Sequence, residues 1–504
     1  MANMANMATW SGCHLAHSGG DGVRVVWGGS VEVVVPVYHK RSAIAVGREA
    51  LWAFHVRPGA FARLIPPWQD VSVASAEGGF ANLRVKLVLK LGPLRKAWIA
   101  QHEGYVEGER FVDRQVTGPF GKWVHTHVVE DAPGGGAVLD DRVEYAAPGG
   151  AVGQALLGWK LASDVERIFA FRHARTRMDC VRHARFGAEA RMRVGVSGSS
   201  GLIGRDLCAY LANAGHRVDR IVRAGAKFEA WAALPAPRLE IAAEGGGREA
   251  EAWEGLDAAV HLGGVNLAEG RWSERRKREI VRSRVESTRL VAERVAGMRE
   301  RPRVLVVASG TGGYRGRGAD EAAARETEEL DDSFLADVVR QWEASAKAAS
   351  EAGIRVVFLR MGVVMSGRGG ALAAMRRAAM AGGAGTIGGG AQRWSWIAMD
   401  DVVGAVEHVL HTEALSGAVN VVSPEVVTQR EFAQTLRRVV GMPLGVPLAG
   451  WMARAGMGEM SDVLLRDNAA SAEKLVASGF VHELAGLEGA MRMELGRVRR
   501  DQEN

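Results

Sequence analysis

Hydrophobic and polar positions follow two different patterns along the chain, and the change falls near residue 190. Residues 31–185 contain short strand-like segments separated by Gly/Pro turns, and they end in a helix with an apolar stripe over residues 153–180. From residue 192 onward, apolar strands alternate with helices until about residue 416, after which helical spacing rich in Pro and Met follows. The first pattern predicts an α+β domain, and the second predicts an α/β domain with a mainly parallel sheet.

These patterns predict four segments. We expect a disordered tail over residues 1–30, a helix-grip α+β domain over 31–188, a doubly wound Rossmann sheet over 192–418 and a small C-terminal lobe over 419–497. The helix-grip expectation rests on the order of elements, which is an early short helix, then strands, then a long helix. In such a fold a curved sheet wraps the helix and leaves a cavity.

A glycine-rich turn is the strongest chemical signal in the chain. The segment RVGVSGSSGLIG at 193–204 runs from an apolar strand through three glycines into a helix, and a second strand follows at 217–222. In this context the glycines allow a tight turn, approach of a pyrophosphate and close packing of helix on strand. The predicted dinucleotide contacts are Gly198, Ser199, Ser200, Gly201, Leu202, Ile203 and Gly204. The alternative is a flexible loop in a glycine-rich chain.

The end of the second strand indicates which dinucleotide binds. A protein that binds NAD would carry Asp or Glu there to hold the ribose 2′-hydroxyl, whereas this chain has Val222 followed by Arg223. A guanidinium suits a 2′-phosphate, so the sequence favours NADP(H) over NAD(H). The alternative for Arg223 is a solvated surface charge.

Composition excludes several classes of protein. Hydrophobic residues make up 47% of the 504 residues and charged residues 24%, and no apolar run is long enough to cross a bilayer. Three scattered cysteines form neither a disulfide framework nor a zinc motif, which indicates a reducing, cytoplasmic location. The net charge of +6 comes from dispersed arginines, so we expect no nucleic-acid partner. Nothing in the sequence indicates the oligomeric state.

Two histidines at alternating positions of a strand are the one candidate metal motif. His125 and His127 would face the same side of the sheet. No third ligand is evident at a plausible spacing, so we expect packing or hydrogen bonding inside the domain and no metal.

The N-terminal third resembles a known group of ligand-binding domains. The segments RPGAFARLIPPW (57–68), GPFGKWVHTH (118–127), DRVEY (141–145) and FRH (171–173) are similar to the cyclase/dehydrase-like branch of the START-like (SRPBCC) domains. This resemblance implies a cavity for an apolar small molecule, without naming the ligand.

The remainder resembles the epimerase-like branch of the extended short-chain dehydrogenase/reductases that has its own C-terminal domain. The resemblance rests on the glycine turn and on HLGG (261–264), RWSERRKREIVRSR (271–284), SGTGGY (309–314), LRMGVV (359–364) and GTIGGGAQRWSWIAMDD (385–401). By this resemblance, further cofactor contacts are Val222, Arg223, Leu262, Gly263, Glu279, Arg284 and Val364. For Glu279 and Arg284, spacing alone favours paired charges on a helix surface.

The chain departs from the superfamily at the catalytic pair. A tyrosine four residues before a lysine normally transfers the proton, but here Val339 and Glu343 occupy those positions. The hydroxyls of Ser309, Thr311 and Tyr314 are the candidate catalytic groups, and Tyr314 could equally pack over the cofactor. Two further departures are an alanine, Ala398, in place of a motif histidine, and His261 with Gly263 in place of Asn and Ala. We expect Asp400 and Asp401 to cap the following helix.

Two functions fit these observations. The favoured one is an NADP(H)-dependent oxidoreductase or epimerase-like enzyme that acts on a small carbonyl or hydroxyl compound, with Ser309 or Thr311 polarising the substrate oxygen. The alternative is a non-catalytic NADPH-binding protein whose N-terminal cavity holds an apolar ligand, and the missing Tyr/Lys pair supports it. In a combined version, the N-terminal cavity delivers an apolar substrate to the reductase half.

Overall fold

The computed structural model describes residues 13–17, 22–27, 33–223, 238–241, 251–318 and 320–498. The chain divides into two compact units, with the boundary between Arg185 and Phe186. We call them the N-terminal unit and the C-terminal unit. Within the described residues, no helix combines the length and the apolar character needed to cross a membrane.

The described residues of the N-terminal unit form an antiparallel sheet of nine strands and three α-helices. The strand order is β1-β2-β3-β9-β8-β7-β6-β5-β4. The strands are β1 Cys13–His17, β2 Gly22–Trp27, β3 Val33–Ile44, β4 Val71–Glu77, β5 Arg84–Leu91, β6 Leu94–Val106, β7 Arg110–Thr117, β8 Lys122–Asp131 and β9 Ala137–Ala146. The helices are α1 Arg48–Val56, α2 Ala60–Leu64 and α3 Gly150–His183.

Alternation along the central strands determines which face of this sheet is buried. In β8, Trp123, His125, His127 and Val129 are buried, while the residues between them are only partly buried. Such a period of two is typical of a strand with one face against a core. From α3, Val165 and Phe169 pack against Trp123 in this core.

Two details of this unit differ from the sequence expectations. Residues 13–17 and 22–27, within the predicted disordered tail, form paired strands, and GVRVVW has the β-branched composition that favours a strand. Leu156 and Leu157, part of the predicted apolar stripe of α3, are exposed. The packed part of this helix begins only at Leu161.

The C-terminal unit is built on a parallel sheet of seven strands, which confirms the Rossmann-like prediction. The order is β12-β11-β10-β13-β14-β15-β19. These strands are β10 Arg193–Ser197, β11 Arg217–Arg223, β12 Arg238–Ile241, β13 Ala258–His261, β14 Val304–Gly310, β15 Arg355–Met361 and β19 Gly417–Val421. The chain order reverses between β10 and β13, and open α/β sheets bind ligands at the carboxyl ends of strands at such a point.

The described helices of this unit, in chain order, first flank the sheet and then form part of the C-terminal lobe. They are α4 Leu202–Ala214, α5 Glu274–Ala296, α6 Phe334–Ala344, α7 Lys347–Glu351, α8 Gly370–Met380, α9 Met399–His411, α10 Gln429–Val440, α11 Gly450–Met457, α12 Asp462–Leu465, α13 Glu473–Ala477 and α14 Leu487–Leu495. The lobe also contains two small two-stranded sheets. In one, β16 Val363–Met365 pairs with β18 Trp396–Ala398, and in the other, β17 Arg393–Trp394 pairs with β20 Val427–Thr428.

The sheet was predicted to end near residue 416, but it includes one further strand. Gly417–Val421 pairs in parallel with β15 and is the seventh strand. It is short and contains the polar Asn420, so its hydrophobic pattern is weak. The predicted domain boundary between residues 418 and 419 therefore falls inside β19.

Candidate functional site

The glycine turn lies at the switch point, between the carboxyl end of β10 and the start of α4. Helix α4 begins after Gly201, and no side chain caps its first N–H groups. Ser200 and Gly201 are exposed. An uncapped helix N-terminus with an exposed glycine before it is suited to an anion such as a pyrophosphate.

A different steric constraint acts at each glycine of the turn. Gly198 has φ +74°, and a Cβ there would lie 2.7 Å from the carbonyl carbon of Leu262. A Cβ on Gly204 would lie 2.2 Å from the carbonyl oxygen of Gly198, so only glycine lets α4 approach the turn. A Cβ on Gly201 would lie 3.2 Å from the same oxygen, a tight contact that requires a shift of a few tenths of an ångström.

Two arginines reinforce the turn. Arg220 Nε donates to the buried Ser199 Oγ at 3.1 Å, and Arg205 Nε donates to the Ser200 carbonyl at 2.9 Å. Leu202 and Ile203 are half-buried in the first turn of α4. The positive charge of both guanidiniums adds to the helix dipole on the side where an anion would bind.

Val222 and Arg223 end β11 next to this turn. Val222 is half-buried and Arg223 is exposed. Both pair with β12, where their register partners are Glu240 and Ile241. Among the residues that the structure describes, no carboxylate forms an ion pair with Arg223.

His261 is the last residue of β13, the strand next to β10 at the switch point, and Gly263 follows two residues later. Their packing explains why they occur together. His261 is buried, with Nδ1 3.1 Å from Ser197 Oγ and Nε2 3.0 Å from Ser287 Oγ. Because Ser287 Oγ donates to the Ser283 carbonyl at 2.6 Å, Ser287 accepts from Nε2–H and Nδ1 accepts from Ser197. Burial lowers the pKa of His261 to about 4, so the ring is neutral. A Cβ at Gly263 would lie 2.7 Å from its Cε1 atom.

We expect Gly263→Ala to lower the free energy of unfolding by about 1–3 kcal/mol, because the methyl group would overlap the imidazole ring of His261. In a His261→Asn background the smaller side chain leaves room, so the same change should cost much less. Chemical unfolding of the two single variants and the double variant measures this coupling. An equal cost in both backgrounds would contradict the packing explanation.

Arg284 is the cation nearest to this loop. It is buried on α5, where its Nη1 donates to the Ile280 carbonyl at 3.2 Å and its Nη2 to the Val265 carbonyl at 3.1 Å. Its Nε is buried without a hydrogen-bond partner. Within the described part of the chain, no carboxylate pairs with Arg284, and burial lowers its pKa to about 10, with a further contribution from Arg276. Its guanidinium lies over the Trp342 ring, 4.9 Å from the centroid, and the side chain packs against Gly264.

The other cofactor positions differ in how well they fit. Glu279 is exposed and accepts from Arg276 Nη1 at 2.7 Å, as expected for a charge pair on a helix surface. Leu262 is half-buried, and its N–H donates to the Ser197 carbonyl at 3.0 Å. Val364 is half-buried in β16.

The candidate catalytic hydroxyls lie at the carboxyl end of β14. Ser309 Oγ donates to Glu343 Oε1 at 2.8 Å. Arg360 binds the same carboxylate through Nε at 2.9 Å and Nη2 at 2.8 Å. Ser309, Arg360 and Asn420 occupy one row across three adjacent strands. Glu343, at the position of the usual lysine, is thus bound in a largely buried ion pair.

Tyr314 belongs to the same network. Its hydroxyl donates to Asn420 Oδ1 at 2.7 Å and accepts from Arg360 Nη1 at 3.0 Å. Burial raises the pKa of Tyr314, and the nearby Arg360 offsets only part of this effect. Thr311 is buried in the next turn, where its Oγ1 accepts from Asn468 Nδ2 at 3.1 Å. No sequence signal points to Asn468, because it lies in the C-terminal lobe, 157 residues from Thr311.

Ala398, Asp400 and Asp401 are buried in the protein interior. Ala398 is buried in the core of the lobe, in register with Met365. No side chain caps α9, whose N-cap is Ala398, so the expected capping role of the two aspartates is wrong. Asp401 instead accepts from the backbone N–H groups of Glu483 and Leu484, at 2.9 and 3.1 Å.

The N-terminal unit contains a separate cluster of histidines and carboxylates, which includes His125 and His127. The structure brings Asp113 and Asp141 next to them from the neighbouring strands β7 and β9. Although burial favours a neutral ring, Asp141 and Asp113 raise the pKa of His127 to about 9. Burial and the charge of His127 lower the pKa of His125 to about 4. Sequence spacing could not identify the two carboxylates, because they are neighbours only through strand pairing.

Comparison with known proteins gives one consistent result. Residues 194–422 match the model of the "NAD dependent epimerase/dehydratase family". The epimerase family protein Mb2239 of Mycobacterium bovis is 36% identical over 269 residues, which are 53% of this chain and 86% of that protein.

Solved structures similar to this chain include two epimerase-family proteins. The nucleoside-diphosphate sugar epimerase from Corynebacterium glutamicum has a TM-score of 0.72 and 28% identity, and the match covers 91% of this chain and 90% of that one. Human epimerase family protein SDR39U1 with NADPH has a TM-score of 0.52 and 30% identity, over 61% of this chain and 99% of that one. With the glycine turn at the switch point of a parallel sheet, these similarities establish that the chain belongs to the epimerase family of NAD(P)-dependent, oxidoreductase- and epimerase-like proteins.

Proposed function

We propose that this chain is an NADP(H)-dependent oxidoreductase or epimerase-like enzyme, which acts on a small carbonyl or hydroxyl compound at the carboxyl edge of the seven-stranded sheet. The observation that carries the proposal is the uncapped helix N-terminus that follows an exposed glycine turn at the switch point of the sheet. Buried Arg284, which packs against Gly264 in the loop after the neighbouring strand β13, supports it. A bound nicotinamide cofactor would supply hydride transfer there.

The preference for NADP(H) rests on Arg223. It is exposed at the end of β11, where a carboxylate would hold the ribose of NAD. A guanidinium pairs with a phosphate through two parallel hydrogen bonds. The human relative crystallised with NADPH supports the same preference.

We expect Arg223→Ala to weaken NADPH binding about tenfold or more and to leave NADH binding nearly unchanged, because only the 2′-phosphate loses a charge-assisted partner. A tenfold change in affinity corresponds to about 1.4 kcal/mol of binding free energy. Titrations that follow cofactor fluorescence measure both affinities. Arg217→Ala, an exposed arginine at the start of the same strand, is the control and should change neither. Equal affinity of the unsubstituted chain for both cofactors would contradict the role of Arg223.

Ser309 and Thr311 are the groups proposed to polarise a substrate oxygen. They lie at the end of β14, and Ser309 Oγ, which donates to Glu343, has a lone pair with which to accept a hydrogen bond from a substrate hydroxyl. Tyr314 fits this role less well, because its hydroxyl donates to Asn420 and also accepts from Arg360.

A deuteride-transfer experiment tests whether the chain is an enzyme. The full chain is incubated with NADPH deuterated at the nicotinamide C4 and with metabolite extracts, and nucleotide sugars form a separate arm because the Corynebacterium relative is named a nucleoside-diphosphate sugar epimerase. For a reductase, a labelled product is expected in at least one extract and is absent with Gly204→Ala. An epimerase that retains the hydride on its cofactor would instead interconvert nucleotide sugars. Tight NADPH binding with neither outcome would overturn the enzyme proposal.

The ion pair of Glu343 with Arg360 favours a second candidate function, a non-catalytic NADPH-binding protein. A carboxylate there cannot lower the pKa of a neighbouring acid as a lysine does. In this proposal the N-terminal unit would be a START-like, helix-grip domain that holds an apolar ligand between its antiparallel sheet and α3. Native mass spectrometry of the purified chain would detect such a ligand. In either proposal we place the protein in the cytoplasm, because its scattered cysteines suit a reducing compartment.

A further inference from the structure

The central strands of the N-terminal unit bring three metal-ligand side chains together on one buried face. His125 and His127 alternate along β8, and β7 places Asp113 directly opposite His125. On the other side of β8, β9 places Asp141 opposite His127. Because paired residues of antiparallel strands have neighbouring Cβ atoms, the register itself assembles the group.

The distances between these side chains match the spacing of ligands around an ion. Asp113 Oδ2 lies 3.5 Å from His127 Nε2 and 3.9 Å from His125 Nδ1, and the three ligand atoms of the group all lie within 4.8 Å of one another. Ligands bound at about 2.1 Å to a tetrahedral ion are about 3.4 Å apart. The separations are thus longer than good hydrogen bonds and suit an ion between the three groups.

The opposite nitrogens of both rings face a second carboxylate. Asp141 Oδ1 lies 2.8 Å from His127 Nδ1 and 3.3 Å from His125 Nε2. His173 Nε2 contacts the other oxygen of Asp141 at 3.0 Å. A carboxylate behind a histidine is the usual arrangement around protein-bound metal, and here Asp141 Oδ1 faces both nitrogens at short distance without a hydrogen bond of good geometry to either.

The third ligand is oriented as well. His102 Nε2 lies 2.9 Å from Asp113 Oδ1, while its Nδ1 lies 2.7 Å from the Phe80 carbonyl. Asp113 is the accessible member of the group, with 28% of its side chain exposed, whereas Asp141 is 3% exposed. An ion would therefore enter past Asp113 and keep a coordination position for water or a ligand.

We propose that Asp113, His125 and His127 bind one divalent transition-metal ion of the Zn²⁺ class, and that Asp141 is a positioning residue that holds both histidines. Two imidazoles and one carboxylate are ligands that Zn²⁺ accepts, and three protein ligands with one open position are typical of reactive zinc sites. This proposal is independent of the cofactor site in the C-terminal unit.

Another group with similar residue types differs from this one. His216, Glu407 and His411 also lie within ligand distance of one another. However, His216 Nδ1 accepts from the Met192 N–H at 3.0 Å, and Tyr210 donates to Glu407 at 2.5 Å. In addition, His216 Nε2 and Glu407 Oε1 hydrogen-bond directly to each other at 3.4 Å, so hydrogen bonds within the protein already account for these two members.

Direct metal binding by the full chain, without a histidine tag and after treatment with a chelator, tests the proposal. We expect one equivalent of Co²⁺ to bind with visible d–d absorption, and Zn²⁺ to displace it. Zn²⁺ should also raise the Tm of the chain, because a ligand that binds only the folded state stabilises it. No visible absorption and no rise of Tm would overturn the proposal, whatever the variants do.

Variants then test the assignment of each residue. Asp113→Asn and His127→Gln should abolish Co²⁺ binding, whereas Asp141→Asn should weaken it by about 10–100-fold. His39→Gln removes an exposed histidine of the same sheet and is the matched control, with unchanged binding expected. Far-UV circular dichroism identifies any variant that fails to fold. Unchanged affinity in folded Asp113→Asn would overturn the ligand set.

Discussion

Replacing Gly204 by alanine is expected to abolish dinucleotide binding and to destabilise the C-terminal unit by about 1–3 kcal/mol or more. The new Cβ would lie 2.2 Å from the carbonyl oxygen of Gly198 and 2.8 Å from the Ser199 Cα. These are backbone atoms of the turn, so no side-chain rotation can relieve the overlap. Helix α4 must move away from the turn, and its first N–H groups then no longer converge on a phosphate.

Two other glycines separate binding from folding. Gly201→Ala has an ordinary φ of −71°, and its Cβ would lie 3.2 Å from the Gly198 carbonyl oxygen, a tight contact that a small backbone shift relieves. It should therefore cost much less stability than Gly204→Ala and still lose affinity, because the methyl group occupies the side where the pyrophosphate approaches. Gly456→Ala, in a helix with nothing within 4 Å of the new Cβ, should bind normally and gain up to about 1 kcal/mol. Cofactor titration and thermal unfolding measure both properties. NADPH binding by Gly204→Ala with normal affinity would contradict the assignment of the turn.

The parts of the fold that were predictable from sequence have strong local signals. The strand of residues 193–197 is apolar and ends at a glycine with φ +74°, which few other residues adopt. Strand β19 was missed because Gly417 and Asn420 weaken its pattern, although it pairs with β15 along its whole length. Its identity as a strand comes from its neighbour in the sheet, which local periodicity does not encode.

The candidate sites were predictable to the extent that their residues are close in sequence. His125 and His127 are two residues apart and were found together, but Asp113 and Asp141 join them only through strand register. Similarly, the sequence singled out Glu343 only as a residue at the place of a lysine. Its role emerges from Arg360, which lies on a different element and was not among the candidates. Long-range pairing of polar groups depends on topology and not on local pattern.

We expect Arg360→Met to lower the free energy of unfolding by about 3–5 kcal/mol, because the change leaves the largely buried carboxylate of Glu343 without its cation. Arg360 donates to Glu343 through two nitrogens and also to the Tyr314 hydroxyl and the Glu326 carbonyl, so four hydrogen bonds are lost. Chemical unfolding, followed by tryptophan fluorescence, measures the change. As a control, Lys347→Met removes one partner of an exposed pair with Glu351 and should cost about 0.5 kcal/mol or less.

The double variant Arg360→Met/Glu343→Leu should recover most of this loss, since replacing both partners of a buried ion pair by apolar groups is often close to neutral. It also releases Ser309 from its carboxylate partner. If the pair only supports the fold, the folded double variant keeps the deuteride transfer of the unsubstituted chain. If Glu343 orients Ser309 for a substrate oxygen, kcat falls while NADPH affinity is unchanged, because the cofactor turn lies on other strands. A single variant as stable as the unsubstituted chain would contradict the buried ion pair itself.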